Sequence, residues 1–136
     1  MDKVTVAFIG CGDMANQVHY PSLASFSDVE IVALCDIDTE KLNATGDKYG
    51  ISNRYTNYQK MIEETSPSAV YAIGQPHVMY DVWMWCLKRG LNLYIEKPMG
   101  ITLHQARALA YMAEKQGCIT QVGFQRRVAP LLVQLK

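Results

Sequence analysis

The chain has 136 residues, enough for one domain that buries roughly two-thirds of its unfolded surface without a disulfide or a metal. Its 13 Lys and Arg residues balance 13 Asp and Glu residues, which argues against a nucleic-acid, membrane-surface or polyanionic partner and favours small molecules or proteins. No stretch reaches the roughly 18 apolar residues of a membrane span, and the N-terminus lacks the layout of a signal peptide. The four cysteines show no metal-ligand spacing, so we expect free thiols, no metal site and a cytoplasmic location.

Glycines directly follow the first apolar run of the chain. Residues 4–9 have a strand pattern and lead into the Gly-x-Gly-x-x-Ala series of Gly10, Gly12 and Ala15. Gly10 permits a sharp turn, Gly12 leaves no side chain in the path of a phosphate, and Ala15 lets the next helix pack closely. The amides that would point at a pyrophosphate from the helix N-terminus belong to Gly12, Asp13 and Met14. The motif predicts a dinucleotide site; the alternative is a structural turn in a plain α/β domain.

An acidic residue, Asp36, ends the second apolar run. Its carboxylate can accept hydrogen bonds from an adenosine ribose, and the next residue is Ile37 rather than an arginine that would hold a 2′-phosphate. A carboxylate about 4 Å from a phosphate charge costs on the order of 4 kcal/mol per charge pair, which Lys41 would soften. The sequence therefore favours NAD over NADP. The alternative role of Asp36 is a turn or helix cap, since Asp38 also precedes a helix.

Strand patterns alternate with helical patterns along the whole chain. Strands are predicted at residues 4–9, 29–35, around 54–55, 69–73, 91–95 and 119–122. Pro21 is predicted to kink the first helix or restart it, and Thr102 with Gln105 fits a capping box. This alternation predicts an α/β fold with a doubly wound parallel sheet, a Rossmann fold.

In such sheets ligands bind at the carboxyl ends of the strands, near the point where strand order reverses. The prediction places four unusual loops along one edge of the sheet: residues 10–15, 36, 74–77 and 96–98.

The helix predicted over residues 77–90 is apolar on nearly every face. Such a helix needs cover on two sides. We therefore expect part of it to meet a second domain or another subunit of a homo-oligomer.

Five motifs occur in a characteristic order: the glycine series, Asp36, Gln75-Pro76-His77, Glu96-Lys97-Pro98, and the run from Gly123 to Arg127. In this order they closely resemble the coenzyme domain of the glucose-fructose oxidoreductase, inositol dehydrogenase and rhizopine-catabolism (Gfo/Idh/MocA) family. The likeness covers essentially all 136 residues, and Glu-Lys-Pro is its most specific element.

The resemblance implies that Glu96 and Lys97 lie beside the nicotinamide ribose and the substrate, with a cis peptide before Pro98. Lys97 is the implied catalytic residue, because an ammonium can hydrogen-bond a substrate oxygen and partial burial would lower its pKa toward proton-transfer range. Its alternative is a structural interaction with its neighbours or with solvent, and that of Glu96 is a solvated loop carboxylate. Further cofactor contacts are expected from Gly74, Gln75, Pro76 and His77, and from Gln125, which replaces the usual asparagine. The alternative for His77 is a packed or helix-starting role.

Two departures from the family pattern stand out. Tyr80 occupies the position of a usual histidine, and the chain stops where family members continue into a substrate domain. The expected organisation is a coenzyme domain at residues 1–124 and the start of the connection to a missing C-terminal domain at 125–136. His19 and His104 are expected to be structural or surface residues, and Arg126 with Arg127 is as consistent with a solvated pair.

The resemblance implies the coenzyme domain of an NAD-dependent oxidoreductase that acts on CH–OH groups of a sugar, polyol or related small molecule. We expect the chain alone to bind coenzyme without appreciable turnover, because a sugar must be fixed about 3 to 3.5 Å from the nicotinamide. The alternative is a non-catalytic NAD-binding sensor that docks to a partner protein through the apolar helix.

Overall fold

A computed structural model describes residues 3–134. The six strands are β1 (Val4–Ile9), β2 (Val29–Cys35), β3 (Arg54–Tyr55), β4 (Ala69–Ala72), β5 (Asn92–Glu96) and β6 (Thr120–Gly123). The helices are α1 (Tyr20–Ala24), α2 (Thr39–Tyr49), α3 (Tyr58–Thr65), α4 (Pro76–Lys88), α5 (Leu103–Gln116) and α6 (Pro130–Gln134). The segment at 125–136, predicted as the start of a connection, is described as far as residue 134, and residues 1 and 2 also lie outside the described part.

All six strands are parallel and follow the order β3-β2-β1-β4-β5-β6. This is the Rossmann order, in which the direction of winding reverses between β1 and β4. The α/β prediction is confirmed, and the predicted strands agree with the observed ones within one or two residues.

Helix ends follow the local chemistry that the sequence carries. Asp38 caps α2 through its side chain, and Gly50 ends that helix in the left-handed conformation. Thr102 and Gln105 form the predicted capping box at the start of α5.

The helix after the glycine series is irregular. Residues Ala15–His19 form a π-helical turn, and α1 restarts behind it with Pro21 in its first turn. Proline supplies no N–H and fits the first turn of a helix, where that donor is not needed. Of the two predicted outcomes, a kink or a restart, the chain shows a restart.

Each face of the sheet carries its own apolar core. Side chains of β1 alternate between the two cores: Val6 and Phe8 face one, and Ala7 and Ile9 face the other. The first core lies under α1 and α2, and the second under α3, α4 and α5.

Much of the apolar surface of α4 is covered by the chain itself. Trp83 is fully buried and donates its indole N–H to the Ala72 carbonyl at 2.9 Å. Trp85 packs edge-on against Tyr58 of α3, with a ring separation of 5.2 Å. Val78 is 60% exposed, so contact of this helix with a further domain or subunit stays a prediction.

Candidate functional site

A cleft of about 700 Å³ opens at the carboxyl edge of the sheet, where strand order reverses. Three segments wall it, one after each of β1, β4 and β5. Its lining residues are Gly12, Asp13, Met14, Ala15, Gln17, Ile73, Gly74, Gln75, Pro76, Glu96, Lys97 and Pro98. The structure thus brings together most of the residues that the sequence predicts for the coenzyme, and adds Gln17, Ile73 and Pro98.

The two glycines of the loop after β1 serve different purposes. Gly10 has φ +106°, and a β-carbon there would collide with the Ile73 carbonyl, so the fold itself requires glycine. Gly12 does not have a positive φ, and apart from Gly12 itself and its two chain neighbours no described residue has an atom within 4 Å of the place where its β-carbon would be. The space beside Gly12 therefore fits the close approach of a bound group to the backbone.

The loop is fixed from below by the Asn16 side chain. Its amide donates to the Cys11 carbonyl and to Thr45 Oγ1, both at 2.9 Å. The first turn of the helix begins here, with the Asn16 N–H bonded to the Gly12 carbonyl at 3.0 Å. Amides at a helix start have no intrahelical acceptor, which suits them to an anion.

Asp36 supports the same loop from the end of β2. One carboxylate oxygen accepts the Cys11 N–H at 2.6 Å, and the other accepts the Asp38 N–H at 2.8 Å. The cap of α2 is Asp38, so the helix-cap alternative for Asp36 is wrong, whereas a turn contact is present. Each oxygen of a carboxylate has two lone pairs, which leaves acceptor capacity for a ligand.

Charges next to Asp36 lie on the surface. Lys41 Nζ pairs with Asp38 at 3.0 Å. This hydrogen bond, and then the charges of Asp38, Asp36 and Asp13, raise the pKa of Lys41. Ile37 is 87% exposed and does not line the cleft.

Glu96, at the end of β5, is buried with 7% of its surface exposed. Its Oε1 is bonded to His19 Nε2 and to Gln125 Nε2, each at 2.7 Å. The alternative of a solvated loop carboxylate is therefore wrong. Gln125 reaches the cleft only through this contact, since it does not line the cleft itself.

Lys97 lines the cleft and is exposed. The partial burial that the sequence argument invokes is thus not present. None of the ion pairs among residues 3–134 includes Lys97, so its exposed side chain fits the solvent part of the alternative and not a salt bridge with its neighbours. The peptide between Lys97 and Pro98 is cis, as the resemblance implies.

Other candidates have plainer surroundings. His77 is exposed in the first turn of α4, outside the cleft lining. Tyr80 is half-buried and packs against the core under α4. Arg127 stacks its guanidinium 4.4 Å from the Phe124 ring, and Arg126 is exposed.

His19 is the functional candidate that sequence reasoning missed. It is 5% exposed and contacts Glu96, so the expectation of a structural residue is confirmed and that of a surface residue is wrong. The available signal was its spacing: His19 stands four residues after Ala15, which places both on one helix face. His104 is exposed, as expected.

Comparison with known proteins places this geometry in a family. Residues 4–124 match the Gfo/Idh/MocA model, described as an oxidoreductase family with an NAD-binding Rossmann fold. The chain belongs to this family. The predicted family, fold and coenzyme class are therefore confirmed, and the domain bounds at residues 1–124 and 125–136 stay a prediction.

Among curated relatives, the rhizopine catabolism protein MocA of Rhizobium meliloti is 34% identical over 137 residues. That match covers 100% of this chain and 42% of MocA. D-glucoside 3-dehydrogenase of Escherichia coli is 30% identical over 131 residues, covering 96% of this chain and 37% of the relative. The chain thus spans about two-fifths of the length of these relatives.

A solved structure shows the same domain with a coenzyme. The WlbA dehydrogenase from Chromobacterium violaceum, crystallised with NADH and UDP-GlcNAcA, superposes with a TM-score of 0.93 at 25% identity. The match covers 100% of this chain and 39% of WlbA.

Among residues 3–134, no helix is long and apolar enough to span a bilayer.

Proposed function

We propose that this domain serves an NAD-dependent oxidoreductase that acts on a CH–OH group of a sugar, a polyol or a related small molecule. The observation that carries the proposal is the open space beside Gly12 at the floor of the cleft. The backbone conformation of Gly12 does not require glycine, and no packing contact fills the space beside it. A pyrophosphate that approaches the main chain would require both the open space and the absence of a side chain.

Most of the proposed coenzyme contacts come from residues that line the cleft. The amides of Gly12, Asp13 and Met14 hold the pyrophosphate, and Asp36 binds the adenosine ribose beside them. On the proposed nicotinamide side, Gly74, Gln75 and Pro76, after β4, line the cleft together with Glu96 and Lys97, at the end of the neighbouring strand β5. The remaining proposed coenzyme contacts are Gly10, Ala15, Ile37, His77 and Gln125. Of all the proposed contacts, five lie outside the cleft lining: Gly10, Asp36, Ile37, His77 and Gln125.

When bound, NAD supplies a nicotinamide C4 that accepts or returns hydride. The chain's own contribution is to orient the coenzyme and the substrate and to move a proton. Lys97, exposed at the cleft wall, can hydrogen-bond the substrate oxygen through Nζ. In the reducing direction its ammonium would give a proton to the carbonyl oxygen as hydride reaches the carbon, and in the oxidising direction its neutral amine would take the hydroxyl proton as hydride leaves the carbon. Glu96 is fixed on one oxygen and acts as an acceptor for ribose hydroxyls rather than as a base.

The names of relatives support the oxidoreductase over the sensor alternative. Both a D-glucoside 3-dehydrogenase and inositol 2-dehydrogenases match this chain along nearly its whole length. We expect the 136-residue chain to bind coenzyme with little turnover. A cytoplasmic location is part of the proposal and is supported by four free cysteines among the described residues.

Titration calorimetry with NADH and NADPH tests the proposal. The wild-type chain should bind NADH more tightly, because the Asp36 carboxylate opposes a 2′-phosphate. Asp36→Ala should weaken NADH binding about tenfold and narrow the gap to NADPH, consistent with the loss of a hydrogen bond to a charged group.

Glu40→Gln is the matched control. It removes one negative charge from the first turn of α2 without touching the cleft, so the preference for NADH should persist. Tighter binding of NADPH by the wild-type chain would overturn the role of Asp36, and no binding of either coenzyme would overturn the proposed function.

A further inference from the structure

We propose that His19 is a positioning residue that holds Glu96 ready for the nicotinamide ribose of the coenzyme. This inference rests on the proposed function and assigns a role to a side chain outside the cleft lining. Its basis is a buried polar contact between two elements that are 77 residues apart in the sequence.

The pair joins the cleft wall, at Glu96, to the helical turn behind it, and both side chains are largely shielded from water. His19 and Glu96 are 5% and 7% exposed, and the distance from His19 Nε2 to Glu96 Oε1 is 2.7 Å. A carboxylate only accepts hydrogen bonds, so His19 Nε2 is the donor when Glu96 is ionised. Hydrogen bonds to charged groups away from water are stronger than those between neutral groups.

The same carboxylate oxygen has a second donor. Gln125 Nε2 contacts Glu96 Oε1 at 2.7 Å and Tyr94 Oη at 3.2 Å. Gly123 leaves the room for this cluster, because a β-carbon there would lie 2.6 Å from Tyr94 Oη and 2.9 Å from Glu96 Oε1. Oε1 is therefore held from the π-helical turn on one side and from the segment after β6 on the other.

The other oxygen, Oε2, is left with much weaker protein contact. Its one hydrogen bond among the described residues comes from the Lys97 N–H at 3.3 Å. Since Glu96 and Lys97 both line the cleft, Oε2 is the atom with capacity for a ribose hydroxyl. Fixing Oε1 thus sets the rotamer in which Oε2 serves the ligand.

The irregular helix explains how His19 reaches this place. His19 and its neighbour Tyr20 are both buried, and Tyr20 stacks on Phe8 with a ring separation of 4.0 Å. The π-helical turn ends at His19, directly before Tyr20, at the point where these two consecutive side chains are both buried. The His19 ring packs at a steep angle against the rings of Tyr71 and Tyr94, with centroid separations of 6.0 and 5.0 Å.

The test compares ligands that contain or lack the nicotinamide ribose. His19→Leu should weaken NADH and ADP-ribose binding about tenfold, the cost of one hydrogen bond to a charged group, and change ADP binding less than twofold. His19→Gln carries an N–H donor of similar reach and should recover most of the lost affinity. Thermal denaturation of each variant reports whether it is folded.

Glu96→Gln completes a double-mutant cycle. If His19 acts through Glu96, the double variant His19→Leu/Glu96→Gln should bind NADH as weakly as Glu96→Gln alone, and not at the product of the two losses. Should His19→Leu fail to fold, His19→Asn replaces it in the comparison of NADH with ADP and in the cycle, because its shorter amide does not reach the place of His19 Nε2 beside Glu96 Oε1.

Three results would overturn the inference: unchanged NADH affinity in His19→Leu, an equal loss for ADP, or additive losses in the cycle. Each of them leaves coenzyme binding by the wild-type chain intact. Failure of the wild-type chain to bind NADH is a separate result, which overturns the proposed function together with the inference.

Discussion

At the scale of single residues, the glycine loop separates the demands of the fold from those of a ligand. Gly10 adopts φ +106° against the Ile73 carbonyl, a conformation closed to other residues. Gly12 has neither a positive φ nor a close neighbour. A methyl group at Gly12 therefore tests coenzyme binding, whereas a methyl group at Gly10 tests the stability of the fold.

We expect Gly12→Ala to lose at least about tenfold in NADH affinity, because the methyl group would stand between the backbone and the pyrophosphate. The free energy of unfolding should stay the same or rise by about 0.4–1 kcal/mol, since alanine restricts the unfolded chain. Titration calorimetry and urea denaturation measure the two quantities.

Gly10→Ala is the matched comparison and should behave in the opposite way, losing about 1–3 kcal/mol of stability or more through backbone strain and collision. If Gly12→Ala binds NADH as well as the wild-type chain does, the space beside Gly12 is not where the pyrophosphate binds, and the proposed function loses its main support.

At the scale of elements, the start of α5 offers a clean test of local stabilisation. Thr102 Oγ1 accepts the Gln105 N–H at 3.2 Å, and Gln105 Oε1 accepts the Ile101 N–H at 2.8 Å. Thr102→Ala removes the first contact on an exposed surface and should cost about 1 kcal/mol. Thr102→Ser retains the hydroxyl and should stay close to the wild-type value in urea denaturation; equal losses in both variants would contradict a capping role.

The same element shows why much of the fold is predictable from sequence. Caps such as Asp38 and Thr102 act over three residues, and the alternation along β1 reflects a local period of two. The glycine motif and the order of strands and helices then lead to the sheet edge where the cleft lies.

What the sequence does not reveal is tertiary. The partner of Glu96 is a histidine 77 residues away, and no local pattern encodes that contact. The exposure of Lys97 likewise depends on which segments stand around the cleft, which residue types alone do not determine. The sequence does not predict the π-helical turn, because its residues have no pattern that separates it from an α-helix.

At the scale of the whole molecule, the two cores contain titratable groups that remain neutral in the folded state. Burial raises the pKa of Cys86, on the buried face of α4, from 9.0 to about 12, and a nearby Arg89 offsets this only in part. Burial also raises the pKa of Cys35 from 9.0 to about 12, with the charge of Asp36 adding to it. The pKa of Tyr20 is raised as well, chiefly by burial.

Alkaline pH should therefore destabilise the fold. Each thiol ionises near pH 9 when unfolded and near pH 12 when folded, so its contribution is complete below pH 9 and is lost as the pH rises toward 12. Within that window each group should lower the free energy of unfolding by about 1.4 kcal/mol per pH unit. Urea denaturation at pH 8, 9, 10 and 11 (about one-unit steps) measures the slope. Cys86→Ala removes one titrating group, so its stability should fall less steeply with pH than that of the wild-type chain, despite a lower starting value from the small cavity. Parallel slopes for the two proteins would show that the Cys86 thiol is not held neutral by the core.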